Sequence, residues 1–159
     1  MLIDFQEFET KKELYDHIGG ILPAMLQETR DATSNLANAS ALLRLFLKEV
    51  NWVGFYMLRD GALRLGPFQG KPAVPTIAPG AGVCGTAVRE CRTQVVADVH
   101  RCENHIVCDA SSSSEIVVPM MRDGEPIGVL DIDSPVTSRF DRHDREGLER
   151  FVEILLEHI

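Results

Sequence analysis

Two cysteines of this 159-residue chain stand where a thiol could act as a nucleophile. Cys108 ends the run His105-Ile106-Val107-Cys108, with an imidazole three residues upstream that could serve as acid, base or thiolate partner. Cys84 lies in Gly82-Val83-Cys84-Gly85, at an expected loop-to-helix junction where a helix N-terminus would favour the thiolate. Such thiols can attack an electrophilic atom, become sulfenic acids and close to disulfides. Taken singly, each also fits a small buried residue, Cys84 more so than Cys108. A zinc reading of His100, Cys102, His105 and Cys108 is set aside. Four ligands within nine residues are too crowded for a tetrahedron, which draws on separated pairs.

A second reactive group is acidic. Asp131 and Asp133 alternate in GVLDIDS (128–134), so both point to one face of a strand. Two like charges there require a cation, a shared proton or solvent. The apolar run around Asp131 argues against a frayed strand end. Glu115 opens the preceding strand, and a hairpin at Asp123-Gly124 would lay its start beside the end of the next. That geometry sets Glu115 next to Asp131 and Asp133. Such carboxyl groups could bind an ammonium group or lend a proton. Trp52 and Tyr56, four apart on one strand face, could wall a pocket or fill the core. The run Ser111 to Ser114 reads as flexible loop with no nucleophile implied.

These residues need elements to hold them. Thr10 and Glu13 form a capping box that opens a helix carrying Leu14, Ile18, Leu22 and Met25, interrupted by Gly19-Gly20 and Pro23. A second helix spans about 35–49 with Ser34 as N-cap. Strands follow at 51–58 and 62–68 around a turn at Arg59-Asp60-Gly61. A Gly/Pro-rich loop over 69–82 leads to a short helix near Val83. Further strands are expected at 94–97, 115–121 and 127–133, with a long irregular loop over 98–114. A last helix runs from its N-cap Asp141 to about His158, with Leu148, Phe151, Leu155 and Ile159 in one stripe. Hairpin connections make the sheet mainly antiparallel. The expected architecture is α+β: a central sheet flanked by N- and C-terminal helices, in one domain over 1–159.

Bulk properties narrow the setting. The net charge of −8 disfavours nucleic acid as a partner. The N-terminal residues show no basic start followed by an apolar run, and no stretch is apolar enough to cross a bilayer, so a cytoplasmic location is expected. Four cysteines in a reducing compartment point to free, catalytic or metal-binding thiols over structural disulfides.

The segments GPFQG (66–70), GVCG (82–85), ADVH (97–100), HIVCDASSSSEIVVP (105–119) and GVLDIDS (128–134) together resemble the free methionine-(R)-sulfoxide reductases, which are GAF-domain enzymes. The resemblance implies a GAF-like fold with Cys108 as catalytic thiol and Cys84 as resolving thiol. It implies Glu115, Asp131 and Asp133 around the substrate, and Trp52 and Tyr56 as pocket aromatics. It further implies free methionine sulfoxide as substrate, thioredoxin as reductant, and neither metal nor organic cofactor. A homodimer is compatible with the sequence. Val74 stands where many members carry a further cysteine, Glu103-Asn104 replace a frequent Pro-Gly, and Cys91 and Cys102 match no family position. Two other readings of the residues are a GAF-type small-ligand sensor without catalysis and a thiol peroxidase.

Overall fold

The computed structural model describes residues 6–101 and 110–159. Its elements run α1 (Lys11–Leu26), α2 (Ala32–Phe46), β1 (Trp52–Arg59), β2 (Ala62–Gln69), β3 (Thr76–Ile77), α3 (Gly82–Glu90), β4 (Gln94–Val96), a 3-10 turn (Val99–Arg101), β5 (Ser114–Arg122), β6 (Glu125–Ser134) and α4 (Arg142–Leu156). The six strands form one sheet in the order β3-β2-β1-β6-β5-β4, with every described pairing antiparallel. The expected α+β architecture is the one observed.

The period-2 pattern of the central strands divides the molecule into two layers. Val53, Phe55, Ile116, Val118, Leu130 and Ile132 face one way, into a core shared with α1, α2 and α4. Trp52, Tyr56, Val117 and Val129 face the other way, into a smaller core closed by Val83, Cys84 and Ala87 of α3. The acids of β5 and β6 belong to this second face. Buried Asp144 of α4 accepts from the Tyr15 hydroxyl at 2.9 Å and pairs with Arg139 and Lys11, fastening α4 to α1.

Several local expectations change. The Thr10/Glu13 capping box is present, but α1 runs unbroken through Gly19, Gly20 and Pro23. Burial of Tyr15, Ile18, Leu22, Met25 and Leu26 along one face offsets the helix penalties of about 1 kcal/mol per glycine and about 3 for proline. Helix α2 begins earlier than expected, capped by Asp31, whose carboxylate accepts from the Ser34 N–H at 2.7 Å; Ser34 is therefore inside the helix. The loop over 69–82 contains the two-residue edge strand β3, too short to leave a periodic signal. The expected irregular loop over 98–114 is in part ordered, by the turn at Val99–Arg101 and by the early start of β5 at Ser114.

Candidate active site

Strand register brings the acids together. Asp133 lies between Trp52 of β1 and Glu115 of β5, and Asp131 lies between Gly54 and Val117. The hairpin between β5 and β6 thus sets Glu115 directly beside Asp133 and one diagonal step from Asp131. Helix α3 covers this corner and brings in Cys84, its third residue. The Cys84 sulfur and one carboxylate oxygen each of Glu115 and Asp131 lie within 4.8 Å of one another. A narrow cavity meets all three groups and Asp133, with Ile77 and Val83 on its apolar side.

All four groups are buried, each about 5 % exposed or less, although two or three charges would repel here. Burial pushes the Glu115 carboxyl well above the usual range, and nearby Asp133 adds to it. Burial does the same to Asp131, reinforced by the charge of Glu115. One oxygen of Asp131, Oδ1, is buried and has no hydrogen-bond partner. These acids favour their neutral forms, in which a carboxyl group can donate a hydrogen bond.

The thiol of Cys84 follows the same logic. Its place in the first turn of α3 should favour the thiolate, yet burial drives its pKa well above the ordinary value, and Asp131 and Glu115 add to the rise. Desolvation beside two acids outweighs a helix terminus worth about half a charge. These causes favour the protonated thiol, which lies close to the Asp131 carboxyl group. Gly85, next along the helix, has no room for a side chain: a Cβ would fall 2.8 Å from the Gly80 nitrogen. That close approach seats the start of α3 over the acids.

The two aromatics lie on the same sheet face, almost fully buried, and their polar ends are already committed. Trp52 Nε1 donates to the Lys71 carbonyl and the Tyr56 hydroxyl to that of Val74, each at 3.0 Å. The Trp52 ring stacks on Phe68 at 5.3 Å between centroids and on Tyr56 at 6.0 Å. Both residues therefore brace the 71–74 loop beside the site. Gly54 makes this possible, and sequence reasoning passed over it. A Cβ there would lie 2.4 Å from that of Phe68 and 2.5 Å from the indole ring. Gly54→Ala should cost about 1–3 kcal/mol. Denaturant titration followed by the fluorescence of the single tryptophan would show the earlier midpoint.

Cys108, His105 and Cys102 lie outside the described residues, but both flanks of their segment are tied down. The Val99 N–H donates to the Ser113 carbonyl at 2.9 Å, and the Ser113 N–H to that of Ser134 at 2.7 Å. Ser114 Oγ donates to the Val136 carbonyl at 2.6 Å, and Asn51 Nδ2 reaches the hydroxyls of Ser111 and Ser112. The serine run read as flexible loop is, from Ser112 to Ser114, a hydrogen-bonded anchor beside the acids; Ser112 and Ser114 are buried. Its partners lie 14 to 61 residues away in the chain, so local pattern could not disclose them. Cys91 is exposed in the left-handed C-cap of α3, about 10 Å along the helix from Cys84, too far for direct pairing.

Comparison with known proteins places this fold in a family. The GAF domain model matches residues 21–156. The chain belongs to the GAF domain family. It is 47% identical over 142 residues to the free methionine-R-sulfoxide reductase of Escherichia coli, covering 89% of this chain and 86% of that protein. It is 43% identical over 129 residues to the Saccharomyces cerevisiae enzyme of the same name, covering 76% and 72%. A crystal structure of the Neisseria meningitidis free methionine-R-sulfoxide reductase with its substrate superposes with a TM-score of 0.94 at 38% identity, covering 99% of this chain and 95% of that one. Within the GAF fold, the chain is a member of the free methionine-R-sulfoxide reductase family.

Proposed function

We propose that this protein reduces free methionine-(R)-sulfoxide to methionine, with Cys108 as nucleophile, Cys84 as resolving thiol, and Glu115, Asp131 and Asp133 as the groups that activate the sulfoxide. The observation that carries the reading is the meeting of a buried thiol with two buried, neutral-leaning acids in one cavity. A neutral carboxyl group donates a hydrogen bond to the sulfoxide oxygen, making the sulfur electrophilic. The Cys108 sulfur attacks it and takes the oxygen, so the thioether leaves and Cys108 becomes a sulfenic acid. The Cys84 thiol then displaces water from that sulfenic acid, closing a disulfide. A dithiol reductant of the thioredoxin type returns both thiols. Trp52 and Tyr56 shape the substrate side of the site by holding the 71–74 loop. Residues 1–159 act as one catalytic domain in a reducing, cytoplasmic compartment, as a monomer or a homodimer. No described helix is long and apolar enough to cross a membrane.

A GAF sensor would bind the same ligand without chemistry. Free thiols counted before and after methionine sulfoxide separate the two, since only the reductase loses two per turnover. The substrate test is scope. Free methionine-(R)-sulfoxide should be consumed in a thioredoxin-coupled assay, and N-acetylated or peptide-bound forms should be ignored. Comparable kcat/KM on a blocked substrate would contradict a site closed around a whole amino acid.

Cys84→Ser isolates the second step. In the absence of reductant this variant should release about one methionine per enzyme, because the first attack needs only Cys108. Thioredoxin-driven cycling should fall sharply. Cycling at the unchanged rate would assign resolution to Cys102 or to the reductant itself.

A further inference from the structure

The cavity beneath α3 is also built to capture a soft divalent cation. We infer that Cys84, Glu115 and Asp131 form an inhibitory site for a zinc-class metal ion. This inference rests on the proposed redox role of Cys84, since an ion on that sulfur would arrest the cycle.

Three donors arrive from three different elements: a sulfur from α3, a carboxylate oxygen from β5 and another from β6. The donors lie within 4.8 Å of one another. In a tetrahedral zinc site, bonds of about 2.3 Å to sulfur and about 2.1 Å to oxygen separate such donors by about 3.6 Å. Closing on one ion therefore asks movements of about an ångström, within the reach of side-chain rotation. Among the described residues, this is the one cluster of three potential ligands that meets that spacing.

A second observation points into the cavity. Asp131 is 5 % exposed, and its Oδ1 is buried with no hydrogen-bond partner. A buried carboxylate oxygen without a partner is costly and is satisfied by a donor or a cation. The ligand set selects the ion. One thiolate with two carboxylates suits zinc or cadmium, whereas magnesium and calcium require all-oxygen sites. Three protein ligands leave the fourth position to water on the cavity side. Binding displaces the Cys84 proton, and a metal-held thiolate cannot reach a sulfenic acid. Asp131 is withdrawn from the sulfoxide at the same time. The enzyme would then be switched off by free zinc and restored by a chelator, with no change in its oxidation state.

Cadmium is the probe, since its bond to a thiolate gives an ultraviolet charge-transfer band. The fully reduced protein is titrated with cadmium alone, and the band is compared across variants. The cysteines and histidines of the 100–108 segment are the rival site. One equivalent should raise the band in the native chain and in a C102S/C108S double variant. Cys84→Ser should abolish that band. Asp131→Asn should weaken cadmium binding at least about tenfold, while magnesium at the same concentrations leaves the spectrum unchanged. A band undiminished by Cys84→Ser, or affinity indifferent to Asp131→Asn, overturns the site. Should C84S lose its fold, the native protein still decides: zinc must slow alkylation of Cys84 and spare exposed Cys91. Unaltered Cys84 labelling overturns the site equally. None of these readouts needs turnover. A chain that reduces the sulfoxide but binds no cadmium at Cys84 refutes only the metal site, and one that binds cadmium but never releases methionine refutes the reductase reading and the inhibitory role with it, leaving the metal site itself standing.

Discussion

Cys108→Ser is expected to release no methionine from free methionine-(R)-sulfoxide, even in a single turnover. A serine hydroxyl is almost wholly protonated at neutral pH and attacks sulfur poorly, so the first bond cannot form. The loss in kcat/KM should be on the order of 10⁴-fold or more, as for removal of a nucleophile elsewhere. The comparison with Cys84→Ser makes the result specific. That variant loses cycling but keeps about one equivalent of methionine, whereas the Cys108 variant keeps neither. The structure bears on Cys108 only through its anchors. The Val99–Ser113 and Ser113–Ser134 bonds hold the two flanks of its segment together at the acid-bearing ends of β5 and β6. A reagent specific for sulfenic acids should label Cys108 in the Cys84→Ser protein after one turnover. Stoichiometric methionine from the Cys108→Ser enzyme would remove this residue from the mechanism and leave Cys84 or Cys102 as nucleophile.

Two simple rules made much of the site legible in advance. Alternation along β6 puts Asp131 and Asp133 on one face, and a tight turn at Asp123-Gly124 carries Glu115 to their side. Neither needs knowledge of the third dimension beyond the pleat and the hairpin. Other features depended on contacts remote in sequence. The thiol state of Cys84 is not set by the helix terminus alone, which is a local signal. The acids that reverse it lie 31 and 47 positions further along the chain. The serine anchor was misread because Ser114 and Ser134 bond to backbone carbonyls 22 and 85 residues away. Such bonds have no period and leave no mark on composition. Gly54 could have been found: an unbranched gap in an otherwise bulky strand, WVGFYM, signals that another group lies flat against the backbone. The unbroken course of α1 could not, because it is settled by packing against α4, at the opposite end of the sequence.

Conversion of Glu115 or Asp131 to its amide is expected to separate activity from stability. Both carboxyl groups are buried and held above the usual pKa range, chiefly by desolvation, then Glu115 by the charge of Asp133 and Asp131 by that of Glu115. For an acid whose pKa is higher in the folded state, folding takes up a proton. Its stabilising contribution is complete below the unfolded-state value of about 4 and is lost as pH climbs through the raised folded value. An amide of the same shape removes that liability. Asp131→Asn and Glu115→Gln should therefore unfold at the same temperature as the native protein or a higher one near pH 7. Their stability should also fall less between about pH 4 and neutrality. Activity should move the other way. The neutral carboxyl donates to the sulfoxide oxygen as charge builds there, and an amide is a far weaker acid that cannot complete the proton transfer. A loss of about 10²-fold or more in kcat/KM follows for each variant, in line with removal of a general acid or an oxyanion donor. In the native enzyme, kcat/KM should decline on the alkaline side as these carboxyl groups ionise, and the surviving activity of either amide should lose part of that limb. Thermal melts beside coupled assays across pH test both halves at once. Near-native kcat/KM in both amides would take the acids out of the chemistry. Unfolding of either one at neutral pH, with activity lost only in proportion, would make the pair structural and leave sulfoxide activation to another group.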